Sequence, residues 1–192
     1  MLIVGLDLAG VKTRPSGFCV LKKMKVETKL LYSNEVIIKE IQEIKSRIIS
    51  IDAPLTLPPG RKSIEERTKS HFRECDRELL KRRIKFFPIT LGPMRKLTER
   101  GIKLKKILED KGFRVIEVYP GGAQDVLKIP RKQKGLKKLR EGLEKLGIKG
   151  LNKKMSDHEL DAVTCALVGK MFLEGKTETL GDPEDGIVMP KG

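Results

Sequence analysis

Tryptophan is absent from the 192 residues, and aromatic side chains make up only 4% of them. Base stacking on single-stranded nucleic acid depends on aromatic platforms and so has little support here. Only three cysteines occur, Cys19, Cys75 and Cys165, far apart and none in a C-x-x-C pair. That argues against a disulfide framework and against structural zinc. With only His71 and His158 present, a histidine-based triad has few candidates. No apolar run approaches the ~20 residues that cross a bilayer. Met1–Leu8 is apolar, but it lacks a basic leader and is interrupted at Asp7. A cytoplasmic protein without a signal peptide or membrane span is expected. Asn and Gln are scarce while Lys, Glu and Ile are plentiful, a balance typical of heat-adapted (thermophile) proteins.

What is plentiful is positive charge. The formal net charge is +15, with 35% of residues charged. It is unevenly spread: residues 61–85 carry a net +5, 95–111 a net +4 and 131–154 a net +8, and the remainder is near neutral at −2. A near-neutral body with basic segments attached fits a polyanionic partner, most simply nucleic acid, DNA or RNA. The length suits one domain over 1–192, with a helical insertion at about 61–111 and a basic helical segment at about 131–154.

Patterning predicts the order of elements. Met1–Leu8 reads as a strand buried on both faces, followed by strands at Gly17–Lys23 and Thr28–Tyr32. Asn34 is placed to cap a helix from Glu35 to Lys45, with Ile37, Ile38, Ile41 and Ile44 on one side. A short strand, Arg47–Ile51, ends at Asp52. A stripe of Ile64, Thr68, Phe72, Cys75 and Leu79 predicts one long helix over 62–83, and a second spans Met94–Lys111 before Gly112. Phe113–Tyr119 reads as a strand, then a helix of one or two turns. A basic helix follows over Arg131–Leu146, then a helix over Asp157–Glu174 and an irregular tail with a short strand at Ile187–Met189. Three early strands followed by crossovers predict an α/β fold, a mixed sheet flanked by helices.

Four acids sit where apolar sequence surrounds them. Asp7 interrupts the first strand, Asp52 ends the fourth, Glu117 lies within the fifth, and Asp161 falls inside an almost wholly apolar helix. A lone buried carboxylate is costly unless paired, hydrogen-bonded or bound to metal. Four of them suggest a cluster, at the strand ends where open sheets hold ligands. Such a cluster without His or Cys ligands suits a hard cation, Mg²⁺ or Mn²⁺, of the kind that activates water against a phosphodiester. Each acid also has a plain alternative: Asp7 and Asp52 as turn residues, Glu117 as an ion-pair partner, Asp161 as a structural acid. Asp157 and His158 share a helix face with Asp161 at spacings of four and three. They divide between chemistry and capping, since Ser156-x-x-Glu159 is a capping box. Arg73 pairs with Asp76 on a polar face or points toward phosphate. Lys132, Lys134, Lys137, Lys138 and Arg140 are the backbone-contact candidates, alongside their alternative as solvated surface.

These residues also carry a resemblance. Gly5-Leu6-Asp7, Ile51-Asp52-Ala53-Pro54-Leu55, Arg73-Glu74-Cys75-Asp76-Arg77, Glu117-Val118-Tyr119-Pro120 and Leu160-Asp161-Ala162 occur in the order found in domain-of-unknown-function family 429. That family is described as predicted nucleases of RNase H-like fold. More distantly, His158-Glu159-Leu160-Asp161-Ala162-Val163 resembles the last motif of RuvC-type Holliday-junction resolvases. The resemblance implies a five-stranded sheet of order 3-2-1-4-5, with strands one, four and five parallel. It would place Asp7, Asp52 and Asp161 at one metal site, with Glu117 on the neighbouring strand. Beyond the resemblance, Asp157 is a further metal candidate, and Glu117 or His158 would assist water activation or product release. The fourth-strand acid of the resolvases is commonly Glu, so Asp52 is one methylene shorter.

Three functions follow as expectations. The first is a metal-dependent nuclease with Asp7, Asp52, Asp161, Glu117 and His158 in its centre. The second is a basic nucleic-acid-binding module without turnover. The third is an ATP-dependent phosphotransferase, suggested by the Gly5–Thr13 loop but weakened because no duplicate domain is present.

Overall fold

The computed structural model describes residues 1–66 and 69–192. In chain order its elements are strands β1 (Leu2–Asp7), β2 (Ser16–Lys22) and β3 (Lys25–Leu31), helix α1 (Asn34–Ile44), β4 (Ile49–Asp52), α2 (Glu74–Lys81) and α3 (Gly92–Asp110). Then come β5 (Val115–Val118), α4 (Pro120–Val126), α5 (Leu136–Lys145), α6 (Asp157–Leu173), β6 (Thr177–Leu180) and β7 (Ile187–Pro190). The expected core order β3-β2-β1-β4-β5 is present, and β7 and β6 extend it to seven strands. β1, β4, β5 and β7 run parallel, while β2, β3 and β6 are antiparallel to their neighbours. The tail is therefore a hairpin: β7 matches the short strand expected at Ile187–Met189, and β6 stands where irregular structure is expected. Four polar-rich residues are too few for a period-two pattern to announce β6.

Alternation along the strands divides the core in two. Ile3, Cys19, Leu21, Ile116 and Val118 pack with α6 and with Leu139 and Leu143 of α5. Val4, Leu6, Phe18, Ile49 and Ile51 pack on the other face with Ile37 and Ile41 of α1 and Leu104 and Leu108 of α3. Every residue of α6 from Leu160 to Gly169 is buried, which suits a helix apolar nearly all round.

Two helices differ from expectation. Among the described residues of 62–83 only Glu74–Lys81 is helical. The Arg61 guanidinium donates to the carbonyls of Ile64, Glu66 and Ser70, acceptors that a helix would need for its own N–H groups. Thr68 of the expected stripe lies outside the described residues. The basic helix over 131–146 is a 3₁₀ turn, Lys132–Lys134, separated from α5 by Gly135 at φ 110°. That left-handed value breaks a helix and favours glycine. Ser33, not Asn34, caps α1, and Asn34 instead accepts from Arg100.

Candidate active site

The site is built on close approach of α6 to the sheet. A Cβ at Gly5 would lie 2.0 Å from the Ala162 carbonyl oxygen, and one at Gly17 2.0 Å from that of His158. Glycine within a strand marks such an approach. Through these two gaps α6 lowers its first turns onto β1 and β2, beside Asp7. Asp7 and Asp52 are register partners on the parallel strands β1 and β4. Both share the parity of residues facing α6, because Val4, Leu6, Ile49 and Ile51 all face the opposite way.

Asp7, Asp52 and Asp161 thus approach one another from three elements: the charges of Asp7 and Asp161 act on Asp52, and that of Asp7 on Asp161. Burial holds the Asp52 carboxyl well above the usual carboxylate range, and the charges of Asp7 and Asp161 add to that. Asp52 has no side-chain hydrogen bond or ion pair among the described residues. Burial likewise raises Asp161, against the pull of Lys132. Gln124 on α4 donates from Nε2 to Asp161 Oδ1 at 2.9 Å and lies 3.1 Å from Thr164 Oγ1. His158 Nδ1 lies 2.7 Å from Asp7 Oδ2. That contact raises the histidine above its ordinary value despite partial burial. Asp157 lies at the rim, where burial raises it but His158 and Lys132 outweigh that and leave it lowered.

Lys132 enters this cluster. Its Nζ is 2.8 Å from Asp161 Oδ2 and 3.2 Å from Asp157 Oδ2. Burial alone would lower the lysine, but Asp161, Asp7 and Asp157 raise it above its ordinary value. The other basic candidates point elsewhere. Lys134, Lys137 and Lys138 are exposed, while Lys137 and Arg140 lie 3.9 Å from Glu141 and Glu144.

Glu117 lies at the margin of the carboxylate cluster, near enough for its charge to raise Asp52, but its oxygens are engaged elsewhere. It shares the parity of Val115 and projects from the face opposite Asp52, although both line a cavity of about 60 Å³ at the strand ends. Its two oxygens lie 2.7 and 2.8 Å from Arg73 Nη1 and Nη2, and Oε2 also accepts from the Leu55 backbone at 2.7 Å. Arg73 is buried, correcting the expectation of a polar-face ion pair. Its five N–H groups are all spent, on Glu117, Asp76 and Thr56. None remains for phosphate.

The donor chemistry fits a divalent hard cation: carboxylate oxygens only, one of them without a partner, and an ammonium ion already drawn in as a stand-in cation. As they stand, no group of three or more His, Cys, Asp or Glu among the described residues is arranged to hold a metal ion. Sequence reasoning missed Gln124 and the inward turn of Lys132. Gln124 lies in a short helix whose facing was not predicted, and Lys132 was read as one of a run of surface cations.

A seven-stranded mixed sheet flanked by helices, with the order β3-β2-β1-β4-β5 at its core, is an RNase H-like α/β fold. Two solved structures share this fold. Thermus thermophilus RuvC in complex with a Holliday-junction substrate is 12% identical, with TM-score 0.56, covering 91% of this chain and 96% of that one. RuvC of the same organism in a second structure is also 12% identical, with TM-score 0.50 and coverage of 91% and 97%. The chain belongs to DUF429, a protein family of unknown function, whose sequence pattern it matches over residues 5–186. Comparison with curated proteins finds no match. No helix among the described residues is long and apolar enough to cross a membrane.

Proposed function

We propose that this protein is a divalent-metal-dependent nuclease that hydrolyses phosphodiester bonds of DNA or RNA. One observation carries the reading: Asp7 and Asp52 are register partners at the carboxyl ends of two parallel strands, and Asp161 of α6 is near enough for its charge to act on Asp52. Asp7, Asp52 and Asp161, with Asp157 at the rim, would hold Mg²⁺ or Mn²⁺. The metal would supply an activated water and charge stabilisation on the leaving oxygen. His158, held by Asp7 at Nδ1, presents Nε2 as a site that holds or yields a proton. Glu117, in place of the water-activating role expected for it, ties Arg73 to the Leu55 backbone and so fixes the segment that follows Asp52. Lys134, Lys137 and Lys138 supply exposed positive charge for the phosphate backbone.

The test is cleavage of mixed DNA and RNA substrates with Mg²⁺ or Mn²⁺, comparing wild type with Asp7→Asn. Metal-dependent cutting that disappears in a folded Asp7→Asn variant is expected. Cutting undiminished in that variant would sink the assignment. A second reading, nucleic-acid binding without turnover, is favoured by the ammonium of Lys132 already neutralising Asp161. Salt-dependent binding with no cleavage and no metal requirement would support it.

A further inference from the structure

We propose that Lys132 is a displaceable counter-ion that competes with the divalent cation for Asp161, coupling metal capture to release of the Lys132–Lys134 turn from its root at Arg131. This deepens the nuclease reading and rests on it.

Lys132 belongs to the basic run 131–154, yet it leaves that surface to bridge two acids, at 2.8 Å from Asp161 and 3.2 Å from Asp157. Asp161 is nearly inaccessible, with its side chain 6% exposed, whereas Lys132 remains 32% exposed. The lysine therefore plugs the cluster from the solvent side, the side from which an ion or a phosphate would arrive. An ammonium and a hard dication seek the same carboxylate oxygens and repel one another, so each weakens the other's hold on Asp161 Oδ2.

The chain around Lys132 suits a short arm with a fixed root. Arg131 is anchored by two bonds to Asp125, at 2.8 and 2.5 Å, and lies 3.2 Å from the Tyr119 hydroxyl. Beyond the turn, Gly135 at φ 110° separates it from α5. Lys132 has three N–H groups, and its ion pairs involve two acids. Once displaced, the same ammonium lies beside the anionic substrate. The device keeps a costly carboxylate neutralised until a stronger cation takes its place.

The experiment measures Mn²⁺ binding by calorimetry, and by the metal-dependent rise in melting temperature, for wild type, Lys132→Met, Lys132→Arg and Asp161→Asn. Lys132→Met should bind Mn²⁺ about tenfold tighter than wild type, within the usual range of coupling between competing ligands. Lys132→Arg should stay near wild type, and Asp161→Asn should lose binding. A second measurement keeps the lysine in place. Gln133→Trp would be the sole tryptophan of the chain, and its emission should shift as Mn²⁺ saturates. Equal affinity of wild type and Lys132→Met, or unchanged emission at saturation, overturns the competition while leaving the metal site standing. No Mn²⁺ binding by any form overturns both this inference and the nuclease reading.

Discussion

Asp7 and Asp52 are cross-strand partners at one level of the sheet, yet the Asp7 carboxyl holds His158 while the Asp52 carboxyl has no hydrogen-bond or ion-pair partner among the described residues. The unshared member of the pair carries the cost. Burial, then Asp7 and Asp161, hold the folded-state proton affinity of Asp52 above that of the unfolded chain. The folded state thus binds the extra proton over that interval, and stability falls as pH rises through it. Asp52→Asn should therefore stabilise the protein at neutral pH, by about 2–4 °C in melting temperature for each kcal/mol relieved. The gain should vanish below about pH 4, where the unfolded aspartate is itself protonated. The same variant should lose metal-dependent cleavage. A melting temperature lowered at neutral pH would contradict this account of Asp52.

His158 has the opposite dependence. Its bond to Asp7 raises the imidazole above its unfolded value. The stabilisation is complete below about pH 6.5 and is lost as pH rises through the folded-state value. His158 is partly exposed, so the effect is modest. The melting temperature of His158→Gln should fall at most about 2–4 °C below wild type at pH 6. The two curves should meet in alkaline solution, as a thermal-melt series across pH would show. A gap that widens with pH would rule the pair out as its source.

Arg73 should behave as a structural clamp. Lys cannot replace its fork, because all five N–H groups are engaged in one plane. Arg73→Met leaves Glu117 and Asp76 buried without their cation, which costs about 3–5 kcal/mol, or about 6–20 °C in melting temperature. Glu117→Gln should cost less, since Asp76 still holds the guanidinium. The double variant should lose less than the two single losses added together, as expected of residues in one network. Additive losses in urea melts would show that the clamp is not a unit.

How much of this was legible beforehand differs by element. The acids of β1, β4 and α6 stood out because each interrupts a run of apolar residues, and the strand order followed from the resemblance. Glu117 stood out for the same reason, but its facing depends on parity with Val115, and the pairing with Arg73 spans 44 residues. Nothing local in the sequence announces that. Periodicity predicts a helix over 62–83 but does not reveal that Arg61 takes the carbonyls of Ile64, Glu66 and Ser70, which a helix would need. Lys132 was misread because periodicity says where a residue sits on a helix, and Gly135 ends that helix first.

Gly17 tests whether the seating of α6 makes the site. Its Cβ would meet backbone atoms only: His158 O at 2.0 Å, His158 C at 2.3 Å and Glu159 N at 2.9 Å. No side chain can swing aside, so the first turn of α6 must lift from β2. Overpacking of this kind costs about 1–3 kcal/mol, or about 2–12 °C in melting temperature. The lift also draws His158 away from Asp7, so the pH-dependent stabilisation should shrink along with cleavage. Gly92, at the start of α3, has open space around it, and Gly92→Ala should stay within about 0.5 kcal/mol of wild type. Thermal melts across pH on both variants separate the ideas. If Gly17→Ala melts like wild type and keeps the histidine-dependent pH profile, close approach through Gly17 is not what positions His158.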